Sequence, residues 1–395
     1  MSHLTIGRVL ASVALLTGVA LPRAGRADET VKLGLSVPLS GAAAVWGKGC
    51  EWLCKRAAAE IKEAGGVKVQ GKVYEFECVA YDNKYNAGEG TKVAQTLLNR
   101  ERVKFVASSI GTAPIQALQS LSERQGVVLF SAAWGKSIKG PKFPLTFTAS
   151  NTHLEILPPL IAYVTHQYPK AKRMVVLNPN DATGRDVEAA SRKLWEKAGV
   201  TVLSSDFYER GTTEFQPVAA RLAAAKPDVI NLGTTPPADA GVILKELDVL
   251  GWKGVKVAEV GTGADALRAT GGPAANGVIM GAAVVLDGPS VPEHARKVNE
   301  EARGVLGESL NMIQIGAYDA VFAIKAAMEK AQSVEPAAVA AALPRVRFTS
   351  FYGTQTAFGR ADEYGSPQQL LLPVFITRVE DGKLVLMTRV DPRLD

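Results

Sequence analysis

The sequence predicts an α/β protein built as two similar lobes, each a parallel sheet covered by helices on both faces. Three observations carry that reading. Val31 to Leu39 alternates apolar with small or polar residues and closes on Pro38, which reads as a strand; a small-residue loop, Ser40 to Gly49, follows it. Cys50, Leu53, Cys54, Ala57 and Ile61 then recur at helical spacing, so strand, loop and helix form the first half of a βαβ unit. The same alternation runs down the chain and starts afresh after residue 150, giving a second set comparable to the first.

Taken in order, Gly65-Gly66 stops the first helix and Lys72 to Tyr81 is the second strand, with Asp82 to Asn86 as its loop. Ala87 to Arg100 is a helix and Val103 to Ser108 a strand. Ile110 to Pro114 opens the next helix, with Thr112 as its N-cap and proline in the first turn. Gly126 to Ser131 leaves Ala132-Ala133-Trp134-Gly135 at its carboxyl end, and Leu145 to Ala149 is a further strand. In the second set, Leu154 to Tyr168 is helical and Arg173 to Asn178 is a strand with the loop Asn180 to Gly184. Helix 185–198, strand 200–208, helix 214–225 and strand 228–232 come next, the last followed by Gly233-Thr234-Thr235-Pro236-Pro237. Helix 238–250 leads to strand 255–260, which ends in Gly261-Thr262-Gly263. Gly277 to Leu286 reads as a strand. Helices near 292–306, 313–331 and 336–343 precede a segment at 346–358. The chain closes in a β-hairpin, 371–379 with 383–390, turned by Glu380-Asp381-Gly382.

With 395 residues, 47% hydrophobic and 21% charged, the chain has ample material for a core. Residues 1–27 read as a secretory signal: Arg8, an apolar run from Val9 to Leu21, then Gly25-Arg26-Ala27 with small residues at the cleavage positions. That run is about 13 residues, short of the roughly 20 a spanning helix needs. No cysteine lies near Asp28 to accept a lipid, so the expectation is a soluble exported protein cleaved after Ala27. Cleavage removes Arg8, Arg23 and Arg26 and no acid, lowering the net charge from +6 to +3. No basic block with interleaved aromatics exists, which argues against nucleic acid. Of Cys50, Cys54 and Cys78, either of the first two can pair with Cys78, or all three serve as buried thiols. Their spacing matches no metal site.

Gly261-x-Gly263-x-x-Ala266 superficially matches a dinucleotide fingerprint, but Gly271-Gly272-Pro273 breaks its helix too early for a crossover. His153, His166 and His294 are isolated, and no nucleophile elbow, metalloprotease or phosphate-loop motif occurs, so neither catalysis nor a cofactor is expected. What stands out is chemistry for holding. Trp46, Thr112, Trp134, Thr183, Thr234 or Thr235, and Thr262 all fall at carboxyl ends of predicted strands, where such sheets bind ligands. Hydroxyls and helix-start N–H groups can hold a carboxylate, and Trp rings supply apolar walls.

From about residue 28 to 390 the chain resembles a type I periplasmic solute-binding protein of the Leu/Ile/Val-binding family, partners of ABC importers. The resemblance is carried by V-K-L-G-L-S-V-P-L-S-G-A-A-A-V-W-G at 31–47, A-A-A-E-I-K-E-A-G-G-V at 57–67 and V-A-Y-D-N at 79–83. The stretches from 103–109 to 123–131 and Y-D-A-V-F-A-I at 318–324 extend it. It implies two Rossmann-like lobes joined by three crossovers near 150, 277 and 353, with ligand in the cleft. By lobe, that is 28–150 with 278–353, and 151–277 with 354–395. It implies a monomer that captures a small molecule and delivers it to a membrane permease; a sensory protein of the same fold is the alternative. The family's aromatic before glycine falls on Trp46, its carboxylate-binding hydroxyl on Thr112, and its backbone-donating loop on Ala133-Trp134-Gly135. Its tyrosine walls fall on Thr183 and Thr234–Thr235, and its ammonium-binding acid near Thr262, with Glu259 and Asp265 close by. These departures imply a small carboxylate with a flat or aromatic body in place of an aliphatic amino acid, with the family's usual amino-acid ligands as the alternative. Mass spectrometry of the exported form should find an N-terminus at Asp28 or within a residue or two; a retained N-terminus in the membrane fraction would refute the cleavage.

Overall fold

The computed structural model describes Met1, residues 29–288 and residues 291–394; the expected signal segment, Met1 apart, and the expected cleavage site lie outside the described residues. The first strands are β1 (Glu29–Val37), β2 (Val67–Val69), β3 (Lys72–Asp82), β4 (Phe105–Ser109), β5 (Val128–Ser131) and β6 (Thr146–Thr148). The chain then builds a second sheet from β7 (Arg173–Pro179), β8 (Thr201–Tyr208), β9 (Val229–Asn231), β10 (Val255–Ala258) and β11 (Ile279–Met280). It returns to the first with β12 (Arg347–Thr349), β13 (Gln355–Gly359) and β14 (Gln369–Leu370), and ends in the second with β15 (Val374–Glu380) and β16 (Lys383–Val390). The nine-stranded sheet runs β12-β13-β14-β6-β5-β4-β1-β3-β2 and the seven-stranded sheet β16-β15-β11-β10-β9-β7-β8. The strands from β6 to β3 in the first sheet, and from β11 to β8 in the second, are parallel.

Helices cover both faces: α1 (Ala44–Glu63), α2 (Ala87–Gln95), α3 (Thr112–Gln125), α4 (His153–Gln167), α5 (Ala182–Lys197) and α6 (Gln216–Ala224). They continue as α7 (Pro237–Val249), α8 (Ala264–Gly271), α9 (Glu293–Leu306), α10 (Met312–Ala331), α11 (Pro336–Ala342) and α12 (Ala361–Tyr364). Being covered on both faces, β1 buries Leu33 to Val37 without interruption, as interior parallel strands do. The apolar stripe of α1 faces α10, itself buried along most of its 20 residues and started by a capping box between Asn311 and Gln314. Among the described residues no helix is long and apolar enough to cross a membrane.

Two expectations change. The first passage between sheets falls near 150, between β6 and α4. The second falls after Met280, because Ile279 and Met280 still pair with β10 and β15. In the rest of the expected strand 277–286 isolated backbone bonds form, joining Gly277 and Val278 to Val379, and Gly281 and Ala282 to Ala258 and Gly261. The third falls at 371–373 instead of near 353, since β13 and β14 hydrogen-bond into the first sheet. Short edge strands carry no sequence signal for which sheet they join. The second change concerns the first loop. Its glycines permit packing as well as turning: α1 already begins at Ala44, and a Cβ on Gly47 would lie 1.8 Å from the Pro38 carbonyl oxygen.

Of the two pairings left open by the sequence, the structure forms Cys54–Cys78, tying α1 to β3. Cys50 stays a buried free thiol, and burial pushes its pKa up to about 12. Replacing Cys54 and Cys78 together by alanine should lower stability by about 3 kcal/mol in urea unfolding, from the chain entropy of the loop they close. Unfolding without reductant should expose a single reactive thiol. Unchanged stability, or three reactive thiols, would contradict the pairing.

Candidate functional site

Parallel strands aim their carboxyl ends, and the N-termini of the helices that follow, at one edge of each sheet. In this fold the two edges face each other, and helix starts meet across the gap. The first meeting is between α3 and α5. Thr183 Oγ1 accepts the Thr112 N–H at 3.1 Å and donates to Thr112 Oγ1 at 2.9 Å. With that proton spent, the Tyr85 hydroxyl 3.2 Å away is the donor to Thr183. The second meeting is between α1 and the loop before α8, where Trp46 Nε1 donates to Thr262 Oγ1 at 2.8 Å. Both contacts are buried.

Thr112 is thus the first helical residue, and Gly111 holds the cap position expected for it. There φ is 93°, a region glycine enters at little cost. On the far side Asp181 caps α5 by accepting the Gly184 N–H at 2.8 Å. Its other oxygen binds Arg210, whose guanidinium lies 4.0 Å over the Tyr85 ring, a cation–π contact between the lobes. Arg210 Nη2 is buried and has no hydrogen-bond partner. Tyr85 is presented by a loop that holds Lys84 and Tyr85 at φ of 49° and 55°. Asn83, fully buried, fixes that loop through bonds to the Ser36 and Ile110 carbonyls and to the Tyr85 N–H. The Trp46 and Tyr85 rings lie 6.3 Å apart.

The remaining expected residues divide. Trp134 is buried after β5. The Ala133 N–H is taken by Ser131 Oγ at 3.0 Å, and Gly135 passes so close to α5 that a Cβ would sit 2.0 Å from Asp186 Oδ2. Ser137 Oγ donates to that same carboxylate oxygen at 2.5 Å, a further tie between the lobes. Thr234 spends its N–H and hydroxyl on Asn178 Oδ1, inside the second lobe, while Thr235 is buried beside Tyr208. Neither acid near Thr262 is directed at the cleft. Glu259 is held within the second lobe by Ser191, Trp195 and Asn231, and burial raises its pKa. Asp265 accepts the Ser309 N–H at 3.1 Å and lies by Arg268.

Sequence reasoning missed Tyr85, Arg210, Ser109 and Asp239. Ser109 Oγ, at the end of β4, is buried without a partner. Asp239, in the first turn of α7, accepts the Tyr208 O–H at 2.9 Å; burial raises its pKa against the pull of Tyr208 and Arg210. All four stand at carboxyl ends of strands or helix starts, the very rule that selected the others, so position would have found them where residue type did not. Among the described residues no group of three or more His, Cys, Asp or Glu could hold a metal ion.

The Thr183→Val variant should weaken the contact between the lobes by about 1–3 kcal/mol, the cost of leaving the Thr112 N–H unpaired. Small-angle scattering should then show a larger radius of gyration with an unchanged far-ultraviolet spectrum. An unchanged radius would mean that the contact does not hold the lobes together.

A profile of the periplasmic binding protein family matches residues 30–383. Leu/Ile/Val-binding protein homolog 3 of Brucella melitensis biotype 1 is 25% identical over 96% of this chain and 98% of its own length. The crystal structure of the leucine-binding protein LivK from Thermotoga maritima superposes with a TM-score of 0.76 at 19% identity, covering 92% of this chain and 99% of that one. An R. palustris ABC-transporter solute-binding protein in complex with 4-hydroxybenzoate gives a TM-score of 0.76 at 23% identity, over 93% and 98% of the two chains. The chain therefore belongs to the type I periplasmic binding proteins, the family that its Leu/Ile/Val-binding relatives share.

Proposed function

We propose that this chain is the solute-binding component of an ABC importer. As a periplasmic monomer it captures a small carboxylate with a flat or aromatic body between its lobes and delivers it to a membrane permease. It makes and breaks no covalent bond and uses no cofactor. The observation that carries this reading is the meeting of the α3 and α5 N-termini at Thr112 and Thr183, with Arg210 beside them. Each helix start brings partial positive charge, and two facing one another repel unless something negative sits between. Arg210, paired with Asp181 through Nε, keeps Nη2 buried and without a partner. Trp46, Tyr85 and Trp134 supply broad apolar faces close by. A carboxylate on an aromatic ring satisfies both halves, and a structural neighbour carries 4-hydroxybenzoate.

Asp239 favours a second reading. Its carboxyl, next to Tyr208, is the acid that an amino-acid ammonium would take in place of the missing one at Thr262. Calorimetry with 4-hydroxybenzoate and leucine separates the two. The expectation is micromolar binding of the aromatic acid and leucine at least tenfold weaker. Thr112→Ala should cost about 1.5–3 kcal/mol of binding through one lost charge-assisted hydrogen bond, and Asp239→Asn should cost nothing. Tight leucine binding that Asp239→Asn abolishes selects the second reading. An affinity unchanged by Thr112→Ala would reduce Thr112 to a purely structural residue and overturn the proposed site.

A further inference from the structure

A cavity of about 510 Å³ lies at the junction of the lobes. Of the cleft residues described above, Thr262 alone lines it. The remaining wall comes from the start of α8, the second crossover at 284–288, the α9–α10 loop at 308–310 and the hairpin turn at 382–384. An occupant would touch both lobes and a crossover at once. Much of the lining is apolar, with Val284, Leu286, Leu310 and Leu384 contributing.

Two of the three acids around it are paired with arginines. Arg303 forks onto Asp287 at 3.1 and 2.7 Å, and Arg268 stands 3.4 Å from Asp265. Lys383 is exposed on the hairpin. Glu308 is only 6% exposed, lines the cavity, and leaves Oε1 buried with no hydrogen-bond partner. Burial pushes its pKa up to about 7, with the Asp265 carboxylate adding and Gln314 opposing. A buried carboxyl oxygen without a donor is costly, so Glu308 is short of one N–H group, which the exposed Lys383 does not supply. A metal ion would need several oxygen ligands, and the neighbouring acids are already engaged. An ammonium group on a small hydrocarbon body needs one carboxylate and apolar walls.

We propose that this junction cavity binds a small alkyl- or arylammonium ion, with its ammonium group on Glu308 and its hydrocarbon body against Leu286, Leu310 and Leu384. The site is separate from the carboxylate half of the cleft and independent of which solute the cleft takes.

The test is calorimetric titration of isopentylammonium chloride at pH 8, with isopentanol as the uncharged control. Wild-type protein should bind the ammonium ion saturably and the alcohol not at all. Glu308→Gln should weaken binding at least tenfold, while Thr112→Ala should leave it unchanged. Should Glu308→Gln fail to fold, Ala264→Leu, which puts a larger side chain into the same cavity, should weaken binding to the same extent. No saturable binding by wild type, or equal affinity in the variant, overturns the site. Binding lost in Thr112→Ala would put the amine in the cleft, overturning this inference and leaving solute capture standing. Amine binding retained by a protein that takes no carboxylate would sink the solute reading alone.

Discussion

The architecture turns on one hydroxyl, that of Thr183. It accepts from a backbone N–H of the first lobe, donates to that residue's side chain and takes the proton of Tyr85. Three hydrogen bonds on one oxygen leave it no freedom, and all three partners belong to the other lobe. The reason it can do this is topological. Parallel sheets place every helix start at the same edge, so two lobes facing edge to edge bring N-termini together. Like ends repel, and the hydroxyl screens that repulsion only in part.

The electrostatic consequence is a cleft that is positive where α3 and α5 meet and aromatic beside it. Arg210 strengthens the first property and contributes to the second by lying on Tyr85. Asp181 makes this possible by doing two jobs: it caps α5 with one oxygen and steadies the guanidinium with the other. The acids that would make the site zwitterionic are elsewhere. Glu259 is spent on the interior of the second lobe and Asp265 on the lobe junction. Asp239, in the first turn of α7, is the acid that lies beside Tyr208 at this edge.

The junction between the lobes carries its own constraints. α4 begins with a capping box from Thr152 and Glu155, and Glu155 also accepts from Arg360 and Tyr364 at 2.8 Å each. Lys139 reaches Gln369 Oε1 at 2.6 Å, and burial lowers its pKa to about 8. These groups satisfy one another where the chain passes between sheets. On another side of the junction Glu308 Oε1 has no such partner.

The sequence by itself determined the two-lobed α/β plan, because hydrophobic periodicity and helix-stop residues are local signals, and most of its strands and helices are where the pattern puts them. It also determined the line of residues at the carboxyl ends, where Trp46 meets Thr262 and Thr112 meets Thr183. What each does was not legible. Whether Thr112 caps its helix or faces Thr183, and whether Thr234 looks into the cleft or back at Asn178, depends on neighbours far away in the chain. Arg210 and Tyr85 were invisible because neither means anything until the lobes bring a guanidinium over a ring. The choice between Cys50 and Cys54 as the partner of Cys78 was likewise open, since one helical turn separates them and only the packing of α1 on β3 distinguishes the two. The sheet joined by β13 and β14 was decided by edge pairing, which short strands do not encode. Local periodicity writes elements into a sequence, but pairings between distant groups exist only once those elements are packed.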